Sequence, residues 1–132
     1  MKIIGFNILK ISTEKKENFQ EKLQVNQNID ITDLTKEKSV ISDNELIKIY
    51  FKFLIEYSND FAKLTIEGFV IILPEKDDIK KFLKTWKDKK IPEEFRIPIF
   101  NFIMNKCNVK SLFLEDELNL PYHIPLPRLS EK

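Results

Sequence analysis

His123 is the chain's one histidine and Cys107 its one cysteine, so any side-chain chemistry must start from these or from carboxylates. A histidine acting as base needs a nucleophile and an orienting group. No serine or cysteine motif surrounds His123, which sits between Tyr122 and Ile124-Pro125. It reads as a packed or exposed tail residue. Cys107 follows Lys106 near an expected helix end, where the helix dipole disfavours a thiolate. It reads as a small buried hydrophobe. Glu115, Asp116 and Glu117 could form a metal cluster or an acid pair. Consecutive helical residues point in different directions, so the three read as a solvated face. The pairs Asp77/Asp78 and Glu93/Glu94 read as partners of helix N-termini.

The remaining chemistries fail on counts. One histidine and one cysteine make no zinc site of the usual kind. Two glycines, Gly5 and Gly68, make no phosphate loop or dinucleotide fingerprint. No catalytic residue, metal or cofactor is expected, and the composition points to binding rather than to an enzyme. The run KKFLKTWKDKK at 80–90 interleaves lysines with Phe82 and Trp86, a pattern that can hold single-stranded nucleic acid through Lys80, Lys81, Lys84 and Lys87. The same pattern describes an amphipathic helix with lysines in water. With 22 basic and 21 acidic residues the chain gives no global electrostatic footing for nucleic acid, and the helix reading is preferred.

The 132 residues suit one domain, and eleven are phenylalanine. Phe carries no polar group, so each is either buried or waiting for a partner. No window approaches the length of apolar sequence that spans a membrane, and the N-terminus lacks a signal-peptide pattern. A lone cysteine fits a reducing, cytoplasmic setting.

The elements that must position these residues follow from periodicity. Residues 2–12 read as a strand, 13–27 as a solvated loop or an edge extension, 28–34 as a short strand, and 35–44 as a turn or a continuation past a bulge. Residues 46–57 (LIKIYFKFLIEY) alternate with period two and would span ~40 Å. Ser58-Asn59-Asp60 makes a turn, and 61–73 returns as a second long strand. Gly68 marks a bulge or close backbone approach there, and the switch from one-face to two-face burial. Ile79, Phe82, Leu83 and Trp86 form a helical stripe within 75–90. A second helix starts at Pro92 and carries Phe95, Ile99, Phe102 and Ile103. Pro98 either kinks it or opens its first turn. Asn108 ends it, and a short third helix follows. The tail LPYHIPLPRL at 120–129 reads as extended and polyproline-like. Strands first and helices last give an α+β domain, a four-stranded antiparallel meander with helices on one face.

This layout resembles the SecB-like family of export chaperones. The resemblance rests on IIGFNILKI before a polar stretch, on IEGFVII at 66–72 as the last strand before a crossover, and on Pro92 and Pro98 ahead of IFNFIMNKC at 99–107. The tail resembles the family's proline-containing segment, and also the ending of a group of small archaeal proteins. The chain departs from the family in its neutral charge, in the longer charged helix at 75–90 and in the segment 108–119. The resemblance implies one SecB-like domain over 1–132, with a sheet (1–73), helices (75–119) and a tail (120–132). It also implies a homo-oligomer, a dimer or tetramer.

The function expected from the residues and the resemblance together is an ATP-independent holdase-type chaperone, or a polypeptide-binding protein. Unfolded polypeptide clients would lie in aromatic grooves. Candidate peptide-binding residues on the strand faces are Phe6, Tyr50, Leu54, Tyr57 and Phe69. Candidate oligomer contacts are Phe95, Ile99, Phe102 and Ile103. The alternatives are a structural or regulatory oligomer without a client, and a weak single-stranded nucleic-acid binder.

Overall fold

A computed structural model of the chain describes residues 1–18, 22–40, 43–127 and 129. Phe19 and Arg128 lie outside them. Four strands, β1 (Lys2–Lys15), β2 (Val25–Lys38), β3 (Glu45–Tyr57) and β4 (Ala62–Leu73), form one antiparallel sheet. Two helices follow, α1 (Lys76–Trp86) and α2 (Glu93–Glu117).

The alternation along β3 is realised as burial. Ile47, Ile49, Phe51, Phe53, Ile55 and Tyr57 are at most 2% exposed and face the helices. In β4, Leu64, Ile66, Val70 and Ile72 extend this layer. The helices close it with Ile79 and Phe82 from α1 and Ile99 and Ile103 from α2. Phe82 stacks on Phe95 at 5.1 Å, and Lys81 bridges to Glu94 at 3.0 Å, so α1 and the start of α2 are fastened together. Lys80, Lys81, Lys84 and Lys87 are exposed, as an amphipathic helix requires.

The sheet is the expected four-stranded antiparallel one, and its strand order refines the meander. β2, β3 and β4 run as a meander, but β1 lies beside β4, giving the order β1-β4-β3-β2. The polar stretch after β1 therefore crosses from one sheet edge to the other. β1 and β2 are also longer than their apolar cores suggest. Residues 13–15 and 25–28 pair in register with the alternating positions of β4 and β3, so a neighbour rather than local hydrophobicity extends them. Register shifts skip Ile4 and Leu9 in β1 and Thr32 in β2. Gly68 fulfils the close approach expected of it. A Cβ there would stand 2.1 Å from the Asn7 carbonyl oxygen.

A correction concerns the helices. Asn108 does not end α2, and 108–117 is its continuation rather than a separate helix. Pro98 lies inside α2, where it removes one backbone bond without ending the helix. The buried residues Ile99, Ile103, Cys107, Ser111 and Glu115 follow one another at intervals of four. At about 100° per residue, that line winds roughly 160° around the helix over its length. Different neighbours must therefore cover its two ends. Cys107 sits on this line, and burial pushes its thiol up to about 12. It stays a neutral thiol well above neutral pH, and alkylation at pH 8 is expected to be negligible until denaturant is added. Mass spectrometry of the labelled chain checks this, and ready labelling of the folded protein would contradict it.

Candidate polypeptide-binding surfaces

The five residues expected at a peptide site divide between the two faces of the sheet. Tyr50, Leu54 and Phe69 lie on the face away from the helices. Tyr50 and Phe69 are direct cross-strand partners with ring centroids 5.5 Å apart. Lys48 Nζ lies 4.4 Å from the Phe69 ring centroid, so this ring is already covered by a cation and a neighbour. Further along the same face, Glu67 stands in register between Lys10 and Lys52, and Lys63 between Glu14 and Glu56. Opposite charges on adjacent strands suit a watered surface. The aromatic pair thus sits with Ile71 towards one end of the face, while these charges surround Leu54 at the other.

Phe6 and Tyr57 lie on the helix face. Phe6 is half-buried, stacked on Phe51 at 5.6 Å and edge-on to Phe102 at 5.9 Å. It closes the β1 side of the core. Tyr57 is a correction: its side chain is buried and tied to the tail, so its ring is not offered to a client. Its hydroxyl donates to the Pro121 carbonyl and reaches Glu115 Oε2 at 3.2 Å. Burial first, then the Glu115 charge and the hydrogen bond to it, hold the Tyr57 phenol well above its ordinary range.

The expected subunit contact is corrected in the same way. Ile99 and Ile103 are fully buried in the core, so they offer nothing to a second copy. Phe95 and Phe102 are half-buried against α1 and β1 side chains. The outward side of α2 instead exposes Ile97 (69%), Val109 (69%) and Phe113 (63%).

Two features are not legible in the sequence. One is a cleft of about 400 Å³ between the edge strand β2 and the start of α2. Ile29, Ile31, Ile91 and Phe100 give it apolar walls, while Lys89, Lys90 and Arg96 stand with Asp30 and Glu93 at its polar positions. A slot beside an edge strand, with apolar walls and a charged rim, suits an extended polypeptide, because the slot takes side chains and the edge takes backbone. The alternation Ile29-Asp30-Ile31 signals a strand, but not its position at an edge.

The other is a buried polar clasp. Glu115, expected on a solvated face, is fully buried. His123 Nδ1 lies 2.9 and 2.8 Å from its two carboxylate oxygens, and Nε2 lies 2.8 Å from Asn108 Oδ1. The His123 backbone N–H donates to Glu115 Oε1 at 3.2 Å, and the Leu120 N–H donates to the Glu115 carbonyl at 2.8 Å. The His123 ring also meets Phe53 edge-on, with centroids 6.5 Å apart. The histidine thus fastens the tail to α2 and β3. Among the described residues no serine or cysteine bonds to it, and the cluster has the form of a structural lock.

No family model matches this chain, and no curated protein matches it. Among solved structures it is similar to the SecB-like chaperone Rv1957 of Mycobacterium tuberculosis, in complex with a ChAD peptide from the Rv1956 HigA1 antitoxin. The TM-score is 0.57 and the identity 12%, over 98% of this chain and 89% of that one. The four-stranded antiparallel sheet with its two packed helices is a SecB-like fold.

Proposed function

We propose that this chain is a polypeptide-binding chaperone of the holdase type, working without ATP and as an oligomer. The observation that carries this reading is the cleft at the free edge of β2, in a fold shared with a chaperone solved in complex with a peptide. Client side chains would enter between Ile29, Ile31 and Phe100, exchanging water for apolar contact at about 25 cal/mol per Å². Tyr50, Leu54 and Phe69 would offer a second, shallower contact on the opposite face. The exposed side of α2 supports assembly, since a helix with apolar residues on all sides is normally covered. Its free cysteine suits a reducing, cytoplasmic setting.

An oligomer without a client is the second reading. It is favoured by the fact that Tyr57 is buried and Phe69 is covered by Lys48, which leaves less free aromatic surface than a deep groove needs. An aggregation assay separates the two. Stoichiometric protein is expected to suppress aggregation of a chemically denatured client, equally with and without ATP. Failure to suppress it sinks the holdase reading. Phe113→Asp is expected to lower the molar mass seen by light scattering, because it buries a charge in the subunit contact. A parent protein that is a strict monomer would refute the assembly.

A further inference from the structure

We propose that the tail residues 120–127 form a displaceable strap that occupies the continuation of the client cleft, so that client binding requires the strap to lift. The inference rests on the polypeptide-binding reading and names a device that would regulate it.

The path of the tail carries the argument. Pro121 is held at the level of Tyr57 and His123 at the level of Phe53. The β2 neighbours at those levels are Val25 and Ile29. Ile29 is the first wall residue of the cleft. On the other wall, the clasp leads from Glu115 back to Asn108, towards Phe100 in the same cleft. Both walls therefore run the strap towards the cleft from the far end of the same layer.

The strap also has the chemistry of a client. LPYHIPLP carries no side-chain charge unless His123 is protonated, and its three prolines favour an extended backbone and themselves have no N–H to give a strand. Its hold is narrow. Leu120 and the His123 side chain are buried, Ile124 is half-buried, and Pro121, Tyr122, Pro125, Leu126 and Pro127 are exposed. A segment held by one cluster of bonds, with no ladder along it, opens locally at less cost than the strands do. If it is docked about nine-tenths of the time, a client competing for its seat binds about tenfold more weakly than to the open form.

The test uses the full chain and reduced, carboxymethylated α-lactalbumin as a permanently unfolded client. Hydrogen exchange at the Leu120 and His123 amides, the tail N–H groups that Glu115 accepts, is expected to accelerate when the client is added, while β3 and β4 stay protected. The double variant Glu115→Leu/His123→Ala removes both polar side chains of the clasp, so neither is left buried alone. It is expected to bind the client about tenfold more tightly. Client binding with unchanged exchange in the tail, or with equal affinity in parent and variant, overturns the strap and leaves the polypeptide-binding reading standing. Binding by neither protein overturns both. If the variant does not fold, the exchange measurement on the parent decides alone.

Discussion

Gly68→Ala is expected to strip β1 from the sheet. The new methyl group would stand 2.1 Å from the Asn7 carbonyl oxygen and 3.0 Å from the Ile8 Cα, and both are backbone atoms of the paired strand. No rotamer change relieves such a contact. Either β1 retreats, or its register slips and turns its apolar positions to the wrong face. We expect a loss of about 3 kcal/mol or more, a large share of the stability of a small domain. Gly5 provides the control. A Cβ there meets the Ile71 side chain, nearest at 3.2 Å, which can move. Gly5→Ala should cost less than about 1 kcal/mol. Urea unfolding of the two variants beside the parent checks the pair, and equal midpoints would contradict the geometry.

The second large effect concerns Glu115. Glu115→Leu removes the carboxylate that receives the His123 ring and backbone N–H, and leaves the histidine with a buried nitrogen facing no acceptor. Leaving a buried polar group without its partner typically costs about 1–3 kcal/mol, because the orphaned group stays desolvated. The double variant Glu115→Leu/His123→Leu orphans neither, and is expected to recover most of that loss. A double-mutant cycle by thermal or urea unfolding measures the coupling. Additive single effects would show that the two side chains do not act as a unit.

How far the sequence can be read depends on whether a residue's neighbour is local. The β3 alternation and the α1 stripe are legible because each is decided by one face meeting one layer. The close approach at Gly68 is legible because a glycine in a run of β-branched and aromatic residues has few other reasons to be there. The α2 line is not, since its buried residues wind around the helix and blur the period near Asn108. Glu115 escapes for the same reason. It extends the four-residue series Ile99, Ile103, Cys107, Ser111, but its flanking Asp116 and Glu117 make it look like part of a charged surface. Strand order is out of reach, because nothing in β1 distinguishes β2 from β4 as its partner. For Phe6, Tyr57, Ile99 and Ile103 residue type alone does not say which side each one faces, and packing decides it.

The position of β1 bears on how the chain comes into being. It leaves the ribosome before the other three strands, yet its partner starts at Ala62, so fourteen residues of strand wait without a ladder while β2 and β3 are made. β2, β3 and β4 can pair as each emerges, through short local closures. β1 must be brought back across the whole meander, and Lys2 meets Leu73 only when the sheet is otherwise complete. Long-range pairings of this kind carry the largest closure entropy and come late. During that interval Ile3, Phe6, Ile8 and Ile11 form an unpaired apolar strand, so before it is finished this protein is itself the sort of chain that needs shelter.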